Sequence, residues 1–214
     1  MYIFQPDRFL LQKQIKSLSN YMRGKILDIG AGEYSRYKDF FDFDEYIKMD
    51  VSEGDNVDVI GNVESIPFED STFDAVICTQ VFEHLKHPQI SAKEVFRVLK
   101  SGGYLLVTIP QMNELHEEPN DFFRYTNYGL KVVFEDVGFC SIEYLQRGGF
   151  FSVIAQIRIR YLIDKFDLYK KPILGRLVGK FLYFYGKFML WLDFIDKSKA
   201  NRKHAIGWSF VFKK

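Results

Sequence analysis

Along the first 146 residues, short apolar runs alternate with segments in which apolar residues recur every three or four positions. The first such segment covers 8–22. Phe9, Leu10, Ile15, Leu18, Tyr21 and Met22 are the apolar points of a predicted helix, and Gly24 stops it. Lys25–Ile29 reads as a strand that runs into Gly30-Ala31-Gly32 and then a polar and aromatic helix start. Tyr46–Met49, Val57–Ile60, Phe73–Cys78, Tyr104–Ile109 and Phe139–Leu145 read as further strands. His87–Leu99 reads as a helix with Pro88 near its first turn and Ser101-Gly102-Gly103 after its end. Asn127–Val137 reads as another, closed by Gly138, and Ala205–Lys213 as a last strand.

Strands alternating with helices imply an α/β fold with a parallel sheet covered on both faces. Ligands on such sheets bind beyond the carboxyl ends of the strands. The loops at 30–36, 50–54, 61–66, 78–86 and 110–125 should therefore share one edge. Residues 151–199 break the alternation. Leu174, Leu177, Val178, Phe181, Leu182, Tyr185, Phe188, Met189, Leu192 and Ile195 recur at helical spacing on one predicted face.

Length changes the picture little: 214 residues suit one domain with a modest appendage. Charge changes it more. The net +1 hides a split, with 15 basic and 24 acidic residues in 1–150 against 14 and 4 in 151–214. Such a split suggests a separate job for the tail. The near-zero total argues against a nucleic-acid binder that uses its whole surface. Cys78 and Cys140 stand alone, without zinc-ligand or disulfide spacing, and fit a reducing cytoplasm. The N-terminal segment carries Asp7 and Arg8 where a leader's apolar core would run. No stretch reaches the ~18 uncharged apolar residues of a membrane span.

The candidate chemistry starts at Leu27-Asp28-Ile29-Gly30-Ala31-Gly32. A glycine turn after a strand lets a ligand approach the backbone, and the carboxylate before it can meet a cationic group. The dinucleotide pattern GxGxxG fails, because position 35 is Ser. Asp50 ends the second strand 20 residues after Gly30, where an acid can accept from both ribose hydroxyls. As alternatives, the glycine turn is an ordinary strand–helix connection and Asp50 a loop carboxylate or helix cap.

With ESIPFEDSTFDAV at 64–76, VFEHLKHP at 81–88 and LKSGGYLLVTIP at 99–110, the ordered motifs resemble one family. They are similar to the S-adenosylmethionine-dependent methyltransferases with a Rossmann-like fold (class I). The resemblance covers roughly residues 20–146 and the last strand. It implies a seven-stranded sheet with helices on both faces and a helical insertion before the last strand. The expected domain is single, with a core at 1–148 and 204–214 and an insertion at 149–203. The implied cofactor is S-adenosyl-L-methionine. Asp28, Gly30 and Gly32 should form the methionine-end loop, and Asp50 should hold the ribose. Asn62 and Val63 should frame the adenine, and Gln80 should face the sulfonium or the carboxylate. Two positions depart from the family pattern: Asn62 stands where many relatives have an acid, and Tyr34 where many have a third glycine.

Such enzymes must align the acceptor with the methyl group, and a hydroxyl acceptor benefits from a general base. His116 is the first candidate base, because imidazole titrates near neutrality; a solvated loop histidine is its alternative. His84, after Glu83, orders the loop or shares the proton work. Asp121 and Arg124 pair with each other or grip a polar acceptor, and Tyr125 is among the aromatics that wall the pocket. No residue set suggests a metal. The segment PxxxxxHEEPxDFFRYTxxGL resembles bacterial methyltransferases of glycan and cell-envelope biosynthesis, which implies a sugar or glycan acceptor. Quinone, lipid or RNA acceptors, and a non-catalytic binding protein of the same fold, are the alternatives.

Three readings of the tail stay open. Its helix packs on the domain or on a second copy in a homodimer. Or the basic, aromatic segment 151–200 lies on the inner, anionic face of the membrane, with Phe184, Trp191 and Phe194 dipping in. Or the basic tail binds RNA phosphates, which its apolar bulk disfavours.

Overall fold

The structure is a computed structural model and describes residues 3–32 and 36–214. The departure at Tyr34 and the serine at position 35 lie outside the described residues. Seven strands form one mixed sheet in the order β3-β2-β1-β4-β5-β7-β6. They are β1 (Arg23–Ile29), β2 (Asp42–Asp50), β3 (Val59–Ile60), β4 (Phe73–Thr79), β5 (Leu99–Pro110), β6 (Cys140–Arg147) and β7 (Gly207–Lys213). The helices are α1 (Pro6–Leu18), α2 (Pro88–Val98), α3 (Asn127–Glu135), α4 (Phe150–Lys165), α5 (Pro172–Ile195) and α6 (Lys199–Arg202). Strands β1 to β5 pair in parallel, with Ile29 opposite Met49 and Cys78, Met49 opposite Val59, and Thr79 opposite Thr108. That register brings their carboxyl ends to one edge, as the alternating pattern predicts.

Several elements differ from the sequence reading. Only a 3-10 turn, Lys38–Phe40, stands between Gly32 and β2 among the described residues, not the expected helix. Strand β2 starts at Asp42 instead of Tyr46, with polar Asp42, Asp44 and Glu45 leading it in. β3 pairs only with Met49 and Asp50, so the rest of β2 has one neighbour and tolerates charge as edge strands do. β5 runs straight through Ser101-Gly102-Gly103. The pairing jumps from Phe73–Leu99 to Ala75–Tyr104, and Gly102 takes φ +82° in that bulge. Helix α4 lies inside the expected helical insertion at 149–203, but the periodic positions at 174–195 mark only α5.

The chain divides into two compact units. The larger holds 14–110, 116–145 and 208–214. Its core is built from β1, β4 and β5, with Ile26, Leu27, Val76, Ile77, Leu105 and Leu106 essentially without exposed surface. The smaller holds the chain up to Lys13, 111–115 and 146–207. Its core joins Ile3, Ala155, Ile159, Ile163, Leu168, Leu182 and Met189.

Within the smaller unit, the predicted helical face of α5 is divided. Leu182 and Met189 are buried with Gly175 and Gly186, and Val178, Tyr185 and Leu192 pack beside them. A Cβ on Gly186 would come 2.5 Å from the Phe4 ring, so glycine permits that approach. Leu174, Leu177, Phe181, Phe188 and Ile195 instead face solvent with Phe184, Trp191 and Phe194. The helix is apolar on nearly all sides, which is why periodicity alone did not separate the two faces. Among the described residues no helix is long and apolar enough to cross a membrane.

Candidate active site

The glycine loop follows from local chemistry. β1 ends at Ile29, and Gly30 and Gly32 take φ +71° and +60°, a region open to glycine at no steric cost. A Cβ on Gly30 would lie 2.3 Å from Val81 Cγ2, so the β1 and β4 loops approach there as only glycine allows. Among the described residues nothing lies within 4 Å of a Cβ on Gly32, which leaves that backbone approachable. The Gly30 N–H donates to the Met49 carbonyl at 2.9 Å. The Gly32 N–H donates to Asp50 Oδ2 at 3.0 Å, and the Ser52 N–H to Asp50 Oδ1 at 3.1 Å. Asp50 is thus oriented by two backbone donors while each oxygen keeps a lone pair for a hydroxyl.

Asp28 is buried and accepts from Tyr46 Oη at 2.7 Å. Burial pushes its pKa up to about 7, and the nearby Asp50 charge adds to the rise while the Tyr46 bond opposes it. A cationic ligand group would reverse that burial cost.

Asn62 is exposed, with its Oδ1 taking the Glu64 N–H at 2.9 Å in a turn that a bridge to Ser65 closes. Val63 is buried beside it. Gln80 follows β4 at φ +56°, unusual for a residue with a side chain. Its Nε2 donates to Thr108 Oγ1 at 3.2 Å, so its amide lies against β5.

The residues predicted for the acceptor side converge on one that the sequence reading passed over. Glu83 has no exposed surface, and neither carboxylate oxygen has a hydrogen-bond partner among the described residues. Nε2 of His84 and Nε2 of His116 each stand 3.9 Å from Glu83 Oε1. The two rings meet edge to face, 4.8 Å apart. His84 Nδ1 lies 2.7 Å from the Asn120 carbonyl, so that nitrogen carries the proton. His116 Nδ1 is 3.4 Å from Asp121 Oδ2, whose other contacts are the His116 N–H and Arg124.

Arg124 grips Asp121 with both terminal nitrogens, at 2.5 and 2.6 Å. That pair, not a free acceptor clamp, is what holds Asp121 down at about 2. Tyr125 Oη is buried without a hydrogen-bond partner among the described residues; desolvation and then the Glu83 charge push its pKa up to about 12. Cys78, buried on β4, has its thiol pushed up first by desolvation and then by the charges of both Glu83 and Asp28. The glycine loop and the histidine cluster are therefore neighbours of the same strand. The one signal for Glu83 in the sequence is an acid inside the apolar run VFEHL.

Comparison with known proteins agrees with this architecture. Residues 27–107 match the family model described as a methyltransferase domain. The chain is 29% identical over 173 residues to an uncharacterized protein of Methanocaldococcus jannaschii, covering 77% of this chain and 74% of that one. It is 28% identical over 138 residues to the ubiquinone/menaquinone biosynthesis C-methyltransferase of Salmonella arizonae, covering 47% of this chain and 55% of that protein. The solved structure of a SAM-dependent methyltransferase from Archaeoglobus fulgidus superposes with TM-score 0.59 at 16% identity, covering 97% of this chain and 94% of that one. The matched domain, the strand order and the glycine loop together identify the chain as an enzyme with the class I methyltransferase fold, dependent on S-adenosyl-L-methionine.

Proposed function

We propose that the chain methylates an oxygen of a small polar acceptor of the sugar or glycan type. The observation that carries this reading is the cluster of Glu83, His84 and His116 beside the Asp121–Arg124 pair. It is a polar, partly desolvated site, suited to orienting hydroxyls and accepting a proton. S-adenosyl-L-methionine, when bound, supplies an electrophilic methyl group. Asp28, the Gly30–Gly32 backbone, Asp50, Asn62 and Val63 hold it, with Gln80 at the sulfonium end. His116 takes up the hydroxyl proton on Nε2, while Asp121 fixes its Nδ1 tautomer and Glu83 stabilises the imidazolium that forms. His84 supports Glu83 from the other side, and Arg124 and Tyr125 border the acceptor.

In this reading 149–203 is a helical insertion in one methyltransferase domain. Its exposed apolar residues, 68% for Phe181 and 71% for both Phe184 and Phe194, sit on a helix that also exposes Arg176 and Lys180. Aromatic and basic side chains together suit an anionic lipid surface better than RNA. A lipid-linked acceptor at the inner membrane face gives that helix a purpose.

A second reading, C-methylation of a quinone, is favoured by the resemblance to the Salmonella arizonae enzyme. Cofactor carrying a labelled methyl group, incubated with host extract, separates them. Label in base-stable methyl ethers of the glycan or lipid-linked glycan fraction is expected. Label in the quinone fraction would replace the main reading with the second. His116→Ala should slow transfer by about a hundredfold or more with cofactor affinity unchanged. Undiminished transfer in that variant removes His116 from the chemistry.

A further inference from the structure

We propose that Glu83, His84 and His116 form a binding site for a divalent transition-metal ion. Each offers one donor atom, and the three atoms lie within 4.8 Å of one another. The spacing suits an ion better than a direct contact. Both imidazole Nε2 atoms stand 3.9 Å from Glu83 Oε1, too far to hydrogen-bond and close to the span an ion bridges with bonds of about 2.0–2.2 Å.

The second observation is the state of Glu83 itself. A carboxylate with no exposed surface and no hydrogen-bond partner among the described residues is costly. A cation held between it and two imidazoles offsets that cost.

The third is how the rings are held. Metal-binding histidines usually donate their other ring N–H to a carbonyl or carboxylate, which orients the ring and aims the free lone pair at the ion. His84 Nδ1 meets the Asn120 carbonyl at 2.7 Å, and His116 Nδ1 faces Asp121 Oδ2 at 3.4 Å. Both arrangements aim Nε2 toward Glu83. The nearby Arg124 charge is matched by both oxygens of Asp121, so the ion meets a net negative cluster. Two imidazoles and one carboxylate suit zinc or ferrous, cobaltous and similar ions rather than magnesium or calcium. Three protein ligands leave a position open for an acceptor oxygen. His84 and His116 lie 32 residues apart in the chain, which hides the set from any short spacing pattern.

This deepens the proposed reading of the same residues: with the ion bound, His116 Nε2 is a ligand, and the ion in its place acidifies the acceptor hydroxyl, whose proton passes to solvent. The ion's role in activating the acceptor rests on that reading, whereas its binding does not. The test strips the full-length protein with a chelator and titrates it with zinc against a chromophoric competitor. A cobalt titration follows, read by its visible absorption. One zinc per chain is expected, with affinity at least about a hundredfold weaker in both Glu83→Gln and His84→Ala. Circular dichroism of both variants confirms that they fold, and a cobalt spectrum altered by either substitution confirms the ligands. Sub-stoichiometric binding, or zinc affinity unchanged in both folded variants, overturns the site. Methyl transfer is scored separately in the same preparations. Zinc binding without transfer to any hydroxyl acceptor overturns the proposed reaction and leaves the ion. Transfer without zinc binding overturns the ion and leaves the reaction.

Discussion

In the smaller unit, Asp7 meets the buried Arg147 guanidinium at 2.7 Å, and Asp193 accepts the N–H groups of Gly149, Phe151 and Ser152 at the start of α4. The Ser152 hydroxyl donates to Asp193 as well. In the larger unit, Glu83 is buried more completely than either acid, yet neither of its oxygens has a hydrogen-bond partner among the described residues. Asp7 and Asp193 are what a fold does with carboxylates it needs for its own cohesion: each closes a pair or caps a helix. Glu83 is what remains when a carboxylate is retained at a cost to stability. Among the described residues, Asp7 and Asp193 thus serve the architecture, and Glu83 is a buried acid that no architectural bond accounts for.

The comparison can be broken at its structural end first. Asp7→Ala leaves Arg147 buried without its carboxylate, and breaking such a pair costs about 3–5 kcal/mol. The expected result is a large drop in the denaturant midpoint with cofactor affinity per folded molecule unchanged. A drop below about 1 kcal/mol would mean that the pair is not architectural. Asp50 is intermediate, since two backbone donors orient it and each oxygen keeps a free lone pair. Asp50→Ala should weaken cofactor binding by about 1–3 kcal/mol in calorimetry, the range for a lost hydrogen bond to a charged group. Unchanged affinity would return Asp50 to the role of a loop carboxylate.

The sequence exposed these roles unevenly. The Gly30–Gly32 turn and Asp50 were legible because strand, glycine and acid stand in one local order, and local order is what a chain shows directly. The parallel pairing of β1 to β5 was legible for the same reason, whereas the sheet as a whole is mixed. Glu83 was not, because its importance lies in burial and in the company of His116, both products of tertiary structure. Helix α4 was hidden by FFSVIAQI, where apolar and β-branched residues fill nearly every position and no single helical stripe stands out. The charged start of β2 was hidden by the assumption that strands begin with apolar residues. The bulge in β5 was hidden because Ser101-Gly102-Gly103 has the composition of a turn.

At the chemical end, the comparison is sharpened by removing the Glu83 charge alone. Glu83→Gln keeps the shape and takes away an unpaired buried carboxylate. Measured in chelator at pH 8, the variant should be more stable than the parent by about 1–2 kcal/mol, while methyl transfer falls. The sign is opposite to that of Asp7→Ala, so two substitutions of buried acids test the distinction directly. A Glu83→Gln protein destabilised in chelator would show that Glu83 is architectural after all.

The smallest effect concerns Asp28, which has one hydrogen-bond donor, Tyr46, and a pKa raised to about 7 by burial. The folded chain holds this proton over the range from the ordinary carboxylate value to about 7, where the unfolded chain has lost it. Its contribution to stability therefore falls as pH rises through that window. Binding of a cationic cofactor has the opposite sign, because it favours the ionised carboxylate. With a pKa near 7, about a tenth of Asp28 is ionised at pH 6 and about nine-tenths at pH 8, so affinity should rise about tenfold between them. Asp28→Asn should flatten that rise and bind weakly throughout. A flat profile in the parent chain would mean that Asp28 does not meet the cofactor's positive charge. Asp28 would then join Asp7 and Asp193 among the acids the fold keeps for itself.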